Sequence, residues 1–214
     1  MALLGIQVGK VQTHDYNGKD WVTGYMKKPV SGEVFVSEMN VEGDEQHHTK
    51  FHGGIHRPVL MYSAEHYAMW QKELGRDLPY GSFAENFTVS GLDEDSVCIG
   101  DTYQIGDMVH VQVSQPRQPC NQIYQALGIR GIVKKIQASF RSGWYCRVLQ
   151  TGRVSVGMPI KLIERPHPDW TIMRTHEVMS NRKEHPQEAL ELSTIAELQP
   201  TWRKKLAQAG KSAR

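Results

Sequence analysis

The sequence predicts a mainly β fold: a closed, strand-rich barrel with a few helices over residues 1–165, then a small three-helix appendage over residues 166–214. Three observations predict it. Short strand-like runs alternate with glycine turns through the first region, and closure into a barrel removes the exposed edges of such a sheet. No regular strand–helix alternation occurs, which argues against a doubly wound parallel sheet. After Arg165-Pro166-His167-Pro168 the texture changes, because closely spaced prolines interrupt helices and strands.

The strand-like runs combine β-branched or aromatic residues with period-2 alternation, the pattern of strands with one buried face. They cover residues 4–11, 34–37, 59–62, 87–89, 108–114, 144–149 and 158–163. Turn signals separate several of them: Asn17-Gly18, Gly100-Asp101, Gly106-Asp107 and Thr151-Gly152.

Two helical stretches interrupt the barrel region. Ser63 is expected to cap a helix that ends at Gly75, a residue suited to the left-handed conformation of a helix end. The second stretch covers residues 123–127 and, after Gly128, residues 132–140. Both stretches are interpreted as packing elements.

The appendage is predicted to consist of three short amphipathic helices at residues 172–179, 187–192 and 202–209. Pro186 and Pro200 suit the first turns of the second and third helices, where a missing N–H costs no hydrogen bond. After Glu197 the chain carries five basic residues and no acidic one. A nucleic-acid contact and a solvated basic face both fit this run, and the solvated face is the commoner case.

Composition and charge restrict the class of protein. The hydrophobic fraction is 39% and the net charge is +2, so an ordinary core can form and no strong field favours nucleic acid or a membrane surface. The apolar runs are too short to span a bilayer, and the first residues lack the features of a signal peptide. Cys98, Cys120 and Cys146 cannot all pair and form no CxxC motif, which indicates a reducing compartment. We therefore expect a cytoplasmic globular protein.

The segment from Gln115 to Cys120 is the first candidate for chemistry. It follows an alternating strand, and its two prolines stiffen the loop that displays the cysteine. Arg117 lies three residues before Cys120, and if its fixed charge is near the sulfur it favours the thiolate, which is the nucleophilic and metal-binding form. The alternative is an inert buried cysteine, the expected state of Cys98 and Cys146 in their apolar surroundings.

A second candidate is the pair Gly53-Gly54 with its basic neighbours. Paired glycines let backbone amides approach an anion, and Lys50, His52 and Arg57 add charge and donors, so the segment suits a phosphate group. His52 and His56 have the spacing of zinc ligands on a helix, but the glycine pair disfavours a helix there. A plain polar turn is the remaining alternative.

A third candidate covers residues 80–92, Tyr-Gly-Ser-Phe-Ala-Glu-Asn-Phe-Thr-Val-Ser-Gly-Leu. Glu85 and Asn86 interrupt an apolar approach to a strand. A carboxylate or carboxamide at this point can bind the polar edge of a heterocycle, or it can tie down its own loop. The sequence alone leaves both uses open.

Several familiar cofactor and catalytic motifs are missing from the sequence. It contains no GxxxxGK[ST], no GxGxxG after a strand, no GxSxG and no HExxH. Three scattered cysteines cannot supply the four thiolates of an ordinary iron–sulfur cluster. We therefore expect neither a flavin nor an iron–sulfur cluster in this chain.

Taken in order, these segments resemble the MOSC family, domains that bind the molybdenum cofactor and are named after the C-terminal part of cofactor sulfurases. The resemblance is carried by Glu42-Gly43-Asp44, His52-Gly53-Gly54 with Arg57, residues 83–92, Ile99-Gly100-Asp101 and residues 115–120. The three-helix end is similar to the bacterial YiiM-like subgroup. Ala84 stands where the family usually has glycine, and alanine resists positive φ.

The resemblance implies a barrel of the pyruvate-kinase-insert type that holds molybdopterin. It implies a reductase of N-hydroxylated compounds such as hydroxylaminopurines, with Cys120 as catalytic residue and molybdenum ligand. The residues expected to bind the cofactor or face the substrate are Lys50, His52, Gly53, Gly54, Arg57, Ser63, Glu85, Asn86 and Arg117.

The expected partners are a small N-hydroxylated substrate and a separate electron-donating reductase, with no membrane and no nucleic acid. The alternative function is a cofactor carrier or sulfur-transfer protein in which Cys120 accepts a persulfide.

Overall fold

The computed structural model describes residues 1–47 and 54–211. In this part an eight-stranded sheet is accompanied by two two-stranded ribbons and six helices. The strands are β1 (Ala2–Val8), β2 (Gln12–Asp15), β3 (Asp20–Thr23), β4 (Lys28–Pro29), β5 (Val34–Val36), β6 (Val59–Ser63), β7 (Phe87–Ser90), β8 (Thr102–Ile105), β9 (Val109–Pro116), β10 (Trp144–Gln150), β11 (Gly152–Val154) and β12 (Ile160–Glu164). The helices are α1 (Glu65–Leu74), α2 (Gln122–Leu127), α3 (Ile132–Ser139), α4 (Ile172–Ser180), α5 (Pro186–Ser193) and α6 (Pro200–Lys211). Within these residues, every helix is too short or too polar to traverse a lipid bilayer.

The eight strands lie in the order β12-β8-β9-β10-β6-β7-β1-β4. Strands β6 and β7 are parallel, and the other neighbouring pairs are antiparallel. The outer strands β12 and β4 do not pair with each other, so the prediction of a closed barrel is wrong for the described chain. Strand β4 is only two residues long, and its Pro29 has no N–H with which to extend a ladder. A bridge joins Ala2 to Pro159, but it is an isolated one.

Alternation along the chain explains the central strands. In β9, Val109, Val111 and Val113 are buried, while His110 and Gln112 are partly exposed, because successive side chains point to opposite faces of a strand. Strand β6 is buried at every position, as expected for a strand covered on both faces. The mainly β prediction is confirmed.

Two apolar clusters form the core. The larger joins the sheet to the C-terminal helices through residues such as Leu192 of α5 and Trp202 of α6. The smaller cluster includes Trp70 of α1, Ile123 of α2 and Ile136 of α3. Because α2 begins directly after the loop that follows β9, the smaller cluster anchors the far end of that loop.

Polar contacts also tie the C-terminal region to the sheet. The Gln199 N–H donates to the Ser114 carbonyl at 2.9 Å. Arg165 donates from Nε and Nη2 to the two carboxylate oxygens of buried Asp101, at 2.9 and 2.7 Å. The three predicted helices of this region are confirmed, and prolines begin α5 and α6 as predicted. The domain boundary at residue 165 stays a prediction.

Helix α1 begins without the predicted serine cap. Ser63 is the last residue of β6, and its hydroxyl donates to Oε2 of Glu65 at 2.6 Å instead of accepting from a helix N–H. Ala64 occupies the cap position and makes no side-chain hydrogen bond. The Ser63 cap is therefore wrong, whereas Gly75 ends the helix at φ 65° as predicted.

Candidate functional site

A cleft opens where the end of β3, the loop after β9 and the start of α2 meet. It holds about 660 Å³ of space, part of it open to solvent. Its lining residues are Thr23, Gly24, Tyr25, Lys27, Glu45, Gln46, His47, Arg57, Leu60, Ala84, Asn86, Arg117, Gln118, Cys120, Gln122 and Tyr145. The Thr23 hydroxyl donates to Oε1 of Gln122 at 2.5 Å and joins two of the cleft walls.

The loop after β9 presents Cys120 to this cleft. The Arg117 N–H donates to the Gly143 carbonyl at 2.9 Å, and the Ser142 hydroxyl donates to the Arg117 carbonyl at 2.5 Å. These bonds fix the start of the loop, and α2 fixes its end. Cys120 is partly exposed, whereas the other two cysteines, Cys98 and Cys146, are buried. The chain therefore displays one thiol in the cleft.

Arg117 is a buried cation in the cleft, and the residue is 3% exposed. Its Nη2 donates to the Tyr25 hydroxyl at 3.3 Å, while Nη1 has no hydrogen-bond partner among the described residues. Burial lowers the pKa of Arg117, but Tyr25, Tyr145 and Cys120 raise it by more, so the guanidinium stays charged. A buried cation is costly unless an anion pairs with it. An anionic ligand in the cleft would supply that pairing.

Lys27, Asp44 and Asn86 form a hydrogen-bonded network in the cleft wall. Oδ2 of Asp44 accepts from Lys27 Nζ at 2.6 Å and from Asn86 Nδ2 at 2.9 Å. Oδ1 of Asp44 accepts from the Gly9 N–H at 2.8 Å, and Oδ1 of Asn86 accepts from the Leu60 N–H at 3.1 Å. The network therefore fixes both the Lys27 ammonium and the Asn86 carboxamide.

Glu85 is fully buried and holds the loop that precedes β7. Its Oε1 accepts from the Tyr67 hydroxyl at 2.5 Å, the Gly81 N–H at 2.7 Å and the Thr88 hydroxyl at 2.8 Å. Burial, with Glu85 as the second cause, raises the pKa of Tyr67 far above its ordinary value. In the same loop Ala84 adopts the left-handed conformation at φ 58°. Glu85 thus ties down its own loop, one of the two uses that the sequence left open.

The predicted site residues fall into four groups. Those that line the cleft are Arg57, Asn86, Arg117 and Cys120. Those outside the described part of the chain are Lys50, His52 and Gly53. Gly54 is exposed, with φ 89°. Ser63 and Glu85 do not line the cleft: both are buried and make hydrogen bonds within the fold, and a role for them toward a ligand stays a prediction.

Sequence analysis missed Tyr25, Lys27 and Tyr145 as cleft residues. Tyr145 had a detectable signal, since it alternates in β10 with the buried residues Trp144 and Cys146 and so belongs to the opposite face. Tyr25 and Lys27 lie in the irregular segment between β3 and β4. No strand or helix pattern in this segment predicts which way a side chain points. Tertiary folding alone brings them to the cleft.

These features define a class of protein: a β-rich domain whose cleft combines one accessible thiol with a buried arginine. The family model of the MOSC domain matches residues 48–161, more than half of the chain. The chain belongs to the MOSC family, which confirms the resemblance seen in the sequence.

Individual relatives support the same assignment. The uncharacterized protein YflK of Bacillus subtilis is 44% identical over 164 residues, 77% of this chain and 74% of that protein. A protein of Gibberella moniliformis named "Reductase" is 33% identical over 183 residues, which are 84% of this chain but 32% of that longer protein. The crystal structure of YiiM from Geobacillus stearothermophilus matches with a TM-score of 0.81 and 29% identity, covering 98% of both chains. The likeness to YiiM therefore includes the C-terminal helices.

Proposed function

We propose that this protein is a molybdenum-cofactor-dependent reductase of N-hydroxylated compounds, hydroxylaminopurines among them, in which the Cys120 thiolate ligates molybdenum. One observation carries the proposal: a partly exposed thiol shares a cleft with buried Arg117, whose Nη1 has no partner in the described chain. A soft ligand and a fixed cation are the two groups that a phosphorylated metal chelate needs from a protein.

The chemistry of the cleft fits this cofactor. Its phosphate and dithiolene are anionic, and the cations Arg57, Arg117 and Lys27 all line the cleft. Among the described residues, no group of three or more His, Cys, Asp or Glu side chains could hold a metal. The organic chelate would therefore supply most of the ligands, and Cys120 would add one. When bound, the molybdenum centre supplies the two-electron chemistry that removal of an oxygen atom requires.

The residues of this chain bind and orient the cofactor. Arg117 pairs with the anionic groups of the cofactor. Its guanidinium also places a permanent positive charge in the cleft that holds Cys120. The pterin phosphate is bound by the amides of Gly53-Gly54 and by the side chains of Lys50 and His52. Paired glycines let the backbone approach an anion, and the basic neighbours add charge and donors.

The reductase activity itself is supported at the level of relatives. The protein of Gibberella moniliformis that is named "Reductase" matches 84% of this chain, but the match spans only 32% of its own length. We propose that electrons come from a separate reductase, because three cysteines cannot hold an iron–sulfur cluster and the sequence has no flavin motif.

The test uses cofactor-loaded protein and a reductant-coupled assay on 6-N-hydroxylaminopurine, with molybdenum and pterin content measured in parallel. Cys120→Ala is expected to abolish turnover and to reduce molybdenum retention. Cys98→Ala is the matched control, because Cys98 is buried away from the cleft, and this variant should keep both properties.

Full turnover by Cys120→Ala would contradict the ligand assignment. A wild-type protein that binds the cofactor but reduces no N-hydroxylated compound would favour the alternative, a carrier or sulfur-transfer protein. In that case a persulfide donor such as a pyridoxal-phosphate-dependent desulfurase should load sulfur on Cys120, which mass spectrometry would detect.

A further inference from the structure

We propose that Lys27 delivers a proton to the substrate oxygen that leaves as water, and that Asp44 positions its ammonium group. The inference rests on the proposed reductase function, and it names the side chain that acts as the general acid. The balanced reaction is R–NHOH plus two electrons and two protons, giving R–NH₂ and H₂O with one N–O bond broken. The electrons come from an external reductant, so the protein must bring protons to the leaving oxygen.

Lys27 has the right location for this task. Its side chain is 8% exposed, and it lines the same cleft as Cys120. Its Nζ lies 2.6 Å from Oδ2 of Asp44, whose side chain is fully buried and is fixed through Oδ1 by the Gly9 N–H. A Cβ on Gly9 would collide with the Gly24 carbonyl oxygen and would lie 3.3 Å from Cγ of Lys27, so glycine at this position lets the segment that carries Lys27 pack closely. The Lys27 ammonium has three N–H donors. Asp44 accepts a hydrogen bond from one of them, which leaves two that can donate to a ligand.

Most other groups in the cleft are poor acids. Arg57 and Arg117 hold their protons at any physiological pH. Burial raises the pKa of Tyr25 and of Tyr145 above that of an ordinary phenol, which makes both hydroxyls weaker donors.

Two further titratable residues line the cleft, Glu45 and His47. Hydrogen bonds from Lys10 and from the Val11 N–H lower the pKa of Glu45, so its carboxyl carries no proton near neutral pH. His47 is exposed to solvent and is therefore a rival donor that the experiment must address.

The surroundings of Lys27 strengthen it as an acid. Burial lowers its pKa, while Asp44 and Glu85 partly offset this effect and Arg117 adds to it. A lysine with a lowered pKa releases its proton more readily at working pH, and solvent can restore it after each turnover.

The decisive variant is Lys27→Arg, which keeps the charge and the contact with Asp44 but cannot release a proton. Turnover should fall by about 100-fold or more, the range for loss of a general acid, with molybdenum and pterin content unchanged. Lys28→Arg is the matched control on the next, exposed residue, and it should keep wild-type turnover. His47→Gln tests the rival donor, and it should lower turnover far less than Lys27→Arg does.

A second measurement does not depend on turnover. NMR of protein with ¹³C-labelled lysine should show Lys27 titrating below the usual range of a lysine, and Asp44→Asn should move the Lys27 titration to still lower pH, because Asp44 favours the ammonium form. In the cofactor-loaded enzyme, Asp44→Asn should also move the alkaline limb of the pH–rate profile to lower pH.

Three results would overturn the role of Lys27: wild-type turnover by Lys27→Arg, loss of cofactor from that variant, or a hundredfold loss in His47→Gln instead. Titration of Lys27 in the usual range of a lysine would also overturn it. Absence of turnover in the wild-type protein has a different meaning, since it contradicts the reductase function, and the Lys27 role falls with that function.

Discussion

The carboxamide nitrogen of Asn86 and Oδ2 of Asp44 lie 2.9 Å apart, although the two residues are 42 positions apart in the chain. The same carboxylate oxygen holds the Lys27 ammonium at 2.6 Å. One buried acid therefore positions two cleft residues from different segments. Its removal should affect stability as well as the cleft.

Asp44→Asn should lower the free energy of unfolding by about 3–5 kcal/mol, because loss of one partner leaves a buried charge without compensation. Chemical denaturation measures the change. Glu42→Gln is the control, since Glu42 lies near Arg153 at 3.6 Å with both side chains more than half exposed, and such a pair contributes little. Equal effects of the two substitutions would contradict this account.

Ala84→Gly should change the free energy of unfolding by less than about 1 kcal/mol. Relief of the left-handed conformation of Ala84 gains about 1–2 kcal/mol, and the greater freedom of glycine when unfolded costs about 0.5–1 kcal/mol. Loss of the buried methyl costs about 0.8 kcal/mol, so the terms nearly cancel. The exposed helix residue Ala68 is the control, because Ala68→Gly has no strain to relieve and should cost about 1 kcal/mol. A cost at residue 84 as large as that at residue 68 would show that Ala84 is unstrained.

Local patterns in the sequence predicted most of the central elements. The alternation of Val109, Val111 and Val113 predicted β9, and Gly75 and Gly128 end α1 and α2 in the left-handed conformation. These features depend on neighbours in the chain, so they can be read before the fold is known. The same holds for the loop that displays the thiol, because prolines and a cysteine have distinct local chemistry.

Features that depend on distant segments could not be predicted in this way. Strand β8 was missed because it is short and contains Gln104, and β2 and β3 were missed because they are short and mostly exposed. Only their turn, with Asn17 at φ 57° and Gly18 at φ 76°, left a signal. The barrel does not close because β12 and β4 remain the outer strands of the sheet, and no local pattern predicts which strands become edges. The position of Lys27 depends on the carboxylate of Asp44, which belongs to a different segment of the chain.

Ser142→Ala should destabilise the loop that carries the thiol. Its hydroxyl donates to the Arg117 carbonyl at 2.5 Å and lies 3.0 Å from Nε2 of His176, so the variant leaves buried polar groups without a partner, at a cost of about 1–3 kcal/mol. Faster alkylation of Cys120 should accompany the loss of stability. Ser193→Ala is the control, because that hydroxyl donates to the Leu190 carbonyl of its own helix. An unchanged alkylation rate in Ser142→Ala would contradict the proposed support of the loop.

A thiol reagent should modify one cysteine per native chain rapidly and the other two only after unfolding. Cys120 is partly exposed, whereas Cys98 and Cys146 are buried, and burial raises the pKa of both buried thiols. The thiolate is the reacting form, so burial and a raised pKa both slow the reaction. An aromatic disulfide reagent, with and without denaturant, gives the count. Rapid modification of a thiol in native Cys120→Ala protein would contradict the burial of the other two.

Stability should fall as the pH falls from about 6.5 to about 4, with His176 as one cause. Burial lowers the pKa of His176 to about 4 in the folded protein, although Glu94 and the Arg117 carbonyl favour its charged form. An unfolded histidine titrates near 6.5, so between the two values the unfolded chain binds a proton that the folded chain does not. The contribution of neutral His176 to the free energy of unfolding is complete above about pH 6.5 and amounts to about 3 kcal/mol. His176→Gln can still bond Ser142 and should flatten the dependence of unfolding free energy on pH in this window, whereas His185→Gln, at an exposed position, should not. An unchanged slope in His176→Gln would assign the pH dependence to other groups.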